Sequence, residues 1–423
     1  RALHLARNLP AQGWQPVVLA GPPVGERPDP ELAECVPADT VVDYGFSGRL
    51  RPWLNARKAE KRRPAKRTAS RPTGAPTWLK SLPGWPKDWS FLTPFDRYLA
   101  DLPAGLRAAR RLVRQHAPEV IHISADPWSP LIVALQLTRE TGLPLVVDFR
   151  DPWSQHEAKM ALRPAPTRAA LRRFEATLFA AAAKVVLNTE AARDAYLHAY
   201  AGRVPADRFV AVRNAFDEGL FTPGEPEHHA AFTVLYFGRF RRFVSPDALL
   251  DGFARFVAGE GLGAEKARLR FVGGLDAEQQ SRVEDFGLGA FVDVVPAVSF
   301  RESLPVLRGA DALALVIEPE CHLQIPGKLY DYLAAGRPII AVSANEEANA
   351  IVRATGAGFA PHPEAPAAVA EALGQLYRAW AAGTPIRPPA AQLQPFSAAA
   401  QARAIAAIYS EVADAPRGQM GGR

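Results

Sequence analysis

The chain has 423 residues, 48% hydrophobic and 22% charged, which is long for one core and suits two α/β domains. No apolar run approaches the roughly 18 residues of a spanning helix, and its two cysteines, Cys35 and Cys321, lie far apart, without disulfide-framework or zinc spacing. A membrane-spanning bundle, a disulfide scaffold and a structural zinc protein are therefore excluded, and a reducing cytoplasm fits.

The first residues, with Leu3, Leu5, Ala6 and Leu9 apolar, have helical spacing and lead through Gly13 into the strand QPVVLAG. A doubly wound domain needs a strand ahead of that helix, so the first strand is expected to precede Arg1. Net charge is +6, but residues 49–80 hold eleven Lys or Arg against one acid, Glu60, a local +10 that leaves −4 for the rest. Pro52, Pro64, Pro72 and Pro76 interrupt this stretch, and Trp53, Trp78, Trp85 and Trp89 lie in it or just beyond. Residues 49–89 read as a basic insertion. It is either a solvated linker or a surface for an anionic partner. Of the anionic partners, lipid is favoured over nucleic acid, because the rest of the chain carries no nucleic-acid module.

Beyond it, the runs EVIHIS, PLVVDFR, AKVVLNT and FVAVRN alternate with helical stretches at 96–116, 130–141 and 163–183. Short apolar runs of this kind are strands buried on both faces of a parallel sheet. The polar segment FDEGLFTPGEPEHHA then breaks the pattern, and a second series follows: FTVLYFG, RLRFVGG, VDVVPA, ALALVIEP, PIIAVSA and GAGFAP. The expected architecture is α/β, with two doubly wound Rossmann-like domains at 1–215 and 216–390 facing across a cleft. A last helix within 391–423 is placed to cross back to the first domain. Open α/β sheets bind ligands at the carboxyl ends of their strands, so chemistry is expected there.

Three segments carry candidate chemistry. In IPGKLYDYLAAGRPIIA, Pro326 and Gly327 open a helix whose first-turn amides, from Gly327, Lys328 and Leu329, would converge with the Lys328 ammonium on a phosphate, while Asp331 could reach a ribose hydroxyl. A capped packing helix with a surface Lys–Asp pair is the competing reading. In LYFGRFRR, Gly238 lets backbone approach a ligand and Arg239 offers a phosphate fork, unless it simply ends a strand in solvent. In PLVVDFRDPW, Asp148, Arg150 and Asp151 reach the edge of the first sheet, as acceptor-positioning groups or as a structural Arg–Asp lock. His122 reads as an interior histidine, and Trp128 and Trp153 as core or cleft wall. No GxGxxG after a strand, P-loop, GxSxG elbow or HExxH is present.

Taken in order, EVIHISADPWSP, GLPLVVDFRDPW, AKVVLNTEAARDAY, VRNAFD, LYFGRF, FVGG and IPGKLYDYLAAGRPIIA resemble the retaining GT-B glycosyltransferases of the group-one, family-four type, and best their bacterial envelope-polysaccharide branch. The resemblance implies a nucleotide-sugar donor held by the second domain at Gly238, Arg239, Gly273, Gly327, Lys328, Leu329 and Asp331. It implies an acceptor, lipid-linked or polysaccharide, held by the first. Arg239 and Lys328 would bind the diphosphate, with no metal and no cofactor beyond the donor. Asp331 stands where the family has the second Glu of a Glu, seven residues, Glu pattern, but the first position is Leu323, leaving Glu318, Glu320 or a backbone group to replace it. The usual basic residue six after Gly238 is Val244, with Arg242 as a possible substitute. Arg150 replaces a His common in relatives, and the glycine-rich loop of the family is expected before Arg1. The expected activity is sugar transfer in envelope or exopolysaccharide synthesis at the inner face of the cell membrane, without nucleic acid. The alternatives are a nucleotide-sugar epimerase of the same fold and a non-catalytic scaffold that binds membrane or a partner.

Overall fold

The computed structural model describes residues 1–21, 30–47, 93–221, 224–240 and 244–415. The basic insertion with its four tryptophans and Arg242 lie outside the described residues. Among the described residues there are twelve strands, all paired in parallel. In the first domain β1 (Val17–Leu19) pairs with β2 (Val41–Asp43), while β3 (Ile121–Ala125), β4 (Leu145–Phe149), β5 (Lys184–Leu187) and β6 (Phe209–Ala211) form a second sheet in that order. In the second domain β7 (Phe232–Phe237), β8 (Ala267–Val272), β9 (Val292–Val295), β10 (Ala312–Ile317), β11 (Ile339–Ser343) and β12 (Gly358–Phe359) form one sheet ordered β12-β11-β10-β7-β8-β9.

The period-two burial of β10 shows why these runs become strands. Leu313, Leu315 and Ile317 enter the core under the Gly327–Ala335 helix, while Ala312, Ala314 and Val316 enter the core under the Asp247–Gly259 and Pro366–Ala381 helices. Both faces are dry, so an uninterrupted apolar run is what this sheet selects. In the first domain β4 does the same, with Val147 and Phe149 on one face and Val146 on the other. The expected helix at 96–116 is split. Arg97–Asp101 forms a 3-10 turn, and the α-helix proper runs Leu102–His116 with Pro103 in its first turn, where the missing N–H costs nothing.

The last helix, Ala398–Asp414, lies on the first domain rather than the second. Ile405, Ile408 and Tyr409 share a core with Leu5, Leu9 and Val146, Trp14 meets Tyr409 edge-on at 5.1 Å, and Lys184 pairs with Glu411 at 2.6 Å. Two segments thus cross between the domains, and they bond to each other: Phe216 N–H donates to Phe396 O at 3.0 Å, and Ala398 N–H donates to Phe216 O at 2.7 Å. The domain junction is a pair of joined strands of chain, not a single tether.

Candidate functional site

Two glycines build the floor of the second domain's edge. Gly238, with φ 89°, ends β7 and donates its N–H to Val272 O at 2.6 Å. Gly273, with φ 124°, ends β8, and a Cβ there would stand 2.9 Å from the Gly238 carbonyl carbon. The two strand ends therefore meet backbone to backbone, a contact only glycine permits. Arg239 is exposed and lies across this floor, its Nε donating to Gly273 O at 3.2 Å. The Gly327–Ala335 helix starts beside it with Pro326 at its N-cap, no side-chain cap, and nothing within 4 Å of a Cβ placed on Gly327. Lys328 lies over Gly238, reaches Tyr236 Oη at 2.7 Å, and sits 4.0 Å from that ring's centroid. Burial pushes the Asp331 carboxyl up to about 7 against the pull of Lys328.

Gly238, Arg239, Gly273, Gly327, Lys328 and Asp331 are thus brought to one strand edge. Leu329 is a correction: its N–H donates to Pro326 O at 3.1 Å within the first turn and its side chain is in the core, so that amide is already engaged. Leu323 does not face a donor either. It is 9% exposed and joins the core of the first domain, and its carbonyl accepts from Thr189 Oγ1 at 2.9 Å. Glu318 accepts from Ser245 N–H at 2.5 Å, holding the segment after Arg239, and burial raises its pKa. Among the described residues, no three His, Cys, Asp or Glu side chains are grouped to hold a metal.

On the first domain, Arg150 is exposed and Asp151 half-buried just past β4. Asp148 is the second correction. It is fully buried and paired with Arg1 Nε at 2.6 Å, with His122 Nε2 at 3.6 Å. Burial works against its charge, but Arg1 and His122 outweigh it and hold the carboxyl at about 2. Arg1 also donates to Val212 O, Arg213 O and Asn214 Oδ1, so the buried Asp148 anchors the end of the sheet and has no exposed surface. His122 is interior, edge-on to Tyr409 at 5.7 Å. Trp128 and Trp153 stack on each other at 4.6 Å and 3°, which spends one face of each indole inside the protein.

A group missing from the sequence reading pins the loop that carries Arg150 and Asp151. Glu175, fully buried, accepts from Ser154 N–H at 3.1 Å, Tyr196 Oη at 3.2 Å and Tyr200 Oη at 2.6 Å, and Tyr196 Oη in turn accepts from Trp153 N–H at 2.7 Å. Burial pushes its carboxyl up to about 7 although these donors favour the charge. Asp126, at the end of β3, also has a raised pKa, from burial first and then from Asp96 and Asp151 nearby.

This geometry agrees with the family comparison. Residues 1–215 match the glycosyl transferase 4-like domain and residues 231–379 match the glycosyl transferases group 1 domain. The chain belongs to the group-one glycosyltransferases. A D-inositol 3-phosphate glycosyltransferase of Catenulispora acidiphila is 27% identical over 273 residues, 61% of this chain and 63% of that relative, so the match spans under two thirds of the relative's length. Sucrose-phosphate synthase of Thermosynechococcus elongatus superposes with a TM-score of 0.61 at 18% identity, over 97% of this chain and 92% of that one. A glycosyltransferase of Rickettsia africae gives 0.56 at 13% identity, over 98% and 94%. These likenesses establish the GT-B fold, two parallel-sheet domains across a cleft.

In this glycosyltransferase the cleft is bridged by charge. Glu347, in the first turn of the Glu346–Ala354 helix, accepts from the Glu190 and Ala191 N–H groups at 3.1 Å each and pairs with Arg213 at 2.8 Å. A second-domain carboxylate thereby caps the first-domain helix Glu190–Ala199, whose own cap is Thr189. Asn345 donates to the carbonyls of Cys321, His322 and Gln324 and fixes the loop that seats Leu323. The cleft mouth is lined by Glu157, Ala158 and Ala161 on one side and by Pro319, Glu320 and His322 on the other.

Proposed function

We propose that this glycosyltransferase moves a sugar from a nucleotide diphosphate donor to a hydroxyl of a lipid-linked or polysaccharide acceptor, with retention, in bacterial envelope or exopolysaccharide synthesis. The carrying observation is the convergence of Arg239, Lys328 and the open start of the Gly327–Ala335 helix over the Gly238–Gly273 floor. The difficult charge in such a transfer develops on the leaving diphosphate. Two cations and oriented amides fixed in advance stabilise it as it forms, so no metal is required. Asp331, one turn along, is placed for the donor's ribose, and its raised pKa suits a carboxyl that shares a proton with a hydroxyl.

Arg150 and Asp151 are the acceptor-side groups of the proposal, with Asp126 beside them. Asp126, Asp151, Arg150 and Lys159 lie close enough to act on one another's charge, which offers a sugar hydroxyl both acceptors and donors at that point. The basic insertion supports a membrane-borne acceptor, with the protein peripheral on the cytoplasmic leaflet.

The test is donor turnover by the full chain, with and without a polyprenyl-linked sugar or polysaccharide acceptor. Release of nucleoside diphosphate that requires acceptor is the expected result. Release without acceptor, together with an epimerised sugar, would point to an epimerase; donor that binds nowhere would leave a scaffold.

A further inference from the structure

We infer that Tyr236 is a positioning residue for the donor's diphosphate: it holds the Lys328 ammonium in place before the donor arrives. The inference rests on the donor-side reading above. Lysine is a compact charge on a flexible stem, and fixing it costs rotamer entropy that must be met when ligand binds or in advance. Here it is met in advance. Lys328 Nζ donates to Tyr236 Oη at 2.7 Å and lies 4.0 Å from the ring centroid, so a hydrogen bond and a cation–π contact act on one ammonium.

Tyr236 is itself held fast. It is 2% exposed on β7, a strand paired on both sides; Phe240 stacks on its ring at 3.9 Å and 4°, and Phe271 covers it at 6.0 Å. Gly238 supplies the other wall of the slot. A Cβ there would stand 3.1 Å from Lys328 Cε and 3.3 Å from Nζ. The stem thus runs between an aromatic ring and a bare backbone.

A competing partner explains why the anchor matters. Asp331, three residues along the same helix, already feels the Lys328 charge. The bond to the tyrosine hydroxyl directs the ammonium toward the phosphate position and not along the helix toward Asp331. Tyr236 keeps the two groups apart, so that one serves phosphate and the other the nucleoside.

A double-mutant cycle tests this, with UDP, GDP and ADP as probes and the tightest binder carried forward. Tyr236→Phe keeps the ring and removes the hydroxyl. It should weaken nucleoside diphosphate binding about fivefold, the factor carried by one hydrogen bond of ordinary strength, with an unfolding midpoint close to wild type. In a Lys328→Ala background the same change should have no further effect. A full additional loss in that background would make the residue a packing element and overturn the inference, as would wild-type affinity in Tyr236→Phe alone. Lys328→Ala with unchanged affinity would instead overturn the donor site, which separates the two failures.

Discussion

Replacing Glu175 with Gln should remove a pH dependence of stability that the wild type carries. The folded value of this carboxyl is raised from the ordinary 4.5 to about 7, first by burial. Between those values the folded chain holds a proton that the unfolded chain has released. Its contribution is therefore complete below about pH 4.5 and is lost as pH rises through about 7. At about 1.4 kcal/mol per pH unit, the gap sets a ceiling of roughly 3 kcal/mol. Gln keeps the shape and an acceptor for Ser154 N–H and Tyr196 Oη, cannot ionise, and gives up the short bond from Tyr200 at a cost of about 1 kcal/mol. Urea unfolding at about pH 5 should thus find the variant slightly weaker than wild type, and at about pH 8 equal or stronger. Every other titrating group is common to both proteins, so the difference between their curves isolates Glu175. A difference that stays constant from about pH 5 to 8 would refute the assignment. Glu175→Ala is the control: it orphans two buried hydroxyls and an N–H, at about 1–3 kcal/mol each, and should be destabilised at every pH.

Gly238→Ala forces a Cβ into a backbone with φ 89° and against the Lys328 stem; donor affinity by calorimetry should fall about tenfold or more, and unchanged affinity would contradict the floor geometry. Glu347→Ala removes the carboxylate that receives two N–H groups and Arg213 across the cleft, so small-angle scattering should report a more open particle, and an identical profile would count against the bridge. Chelator should leave turnover intact; loss restored by Mg²⁺ or Mn²⁺ would show that the two cations do not suffice. Binding to anionic vesicles should weaken with salt and on changing Arg62, Arg63, Lys66 and Arg67 to Ser, since each cation contributes about 1 kcal/mol near an acidic surface. Equal binding to neutral vesicles would return residues 49–89 to the status of a linker.

Apolar runs alone determined the two α/β domains, because a strand buried on both faces must be mostly apolar: VVDF, KVVL, FTVLYF and ALALVI could be located with no knowledge of their neighbours, even with Asp148 and Lys184 inside two of them. β2 carries little such signal, since Val41–Asp43 is a three-residue strand with two apolar residues, at the edge of a small sheet and with Val41 exposed. The residues proposed here for the donor stood out in the sequence for a similar reason. Gly238, Arg239, Gly327 and Lys328 each stand at a strand end or helix start, and local chemistry marks such positions.

Only tertiary structure could decide which polar residues face solvent, ligand or core. Asp148 looks like Asp151 in sequence, yet Asp148 lies within β4, a strand buried on both faces, and meets an arginine 147 positions away, while Asp151 lies past the strand's end and stays half-buried. Leu323 looks like a lost donor contact and proves to be a hydrophobic link between domains. Glu175, Tyr236 and Glu347 carry no local mark at all. Their partners are 21, 92 and 157 residues distant, and a buried polar side chain acquires its meaning from whatever group the fold brings to it, because in a low-dielectric interior that partner decides whether its charge or hydrogen bond is tolerated.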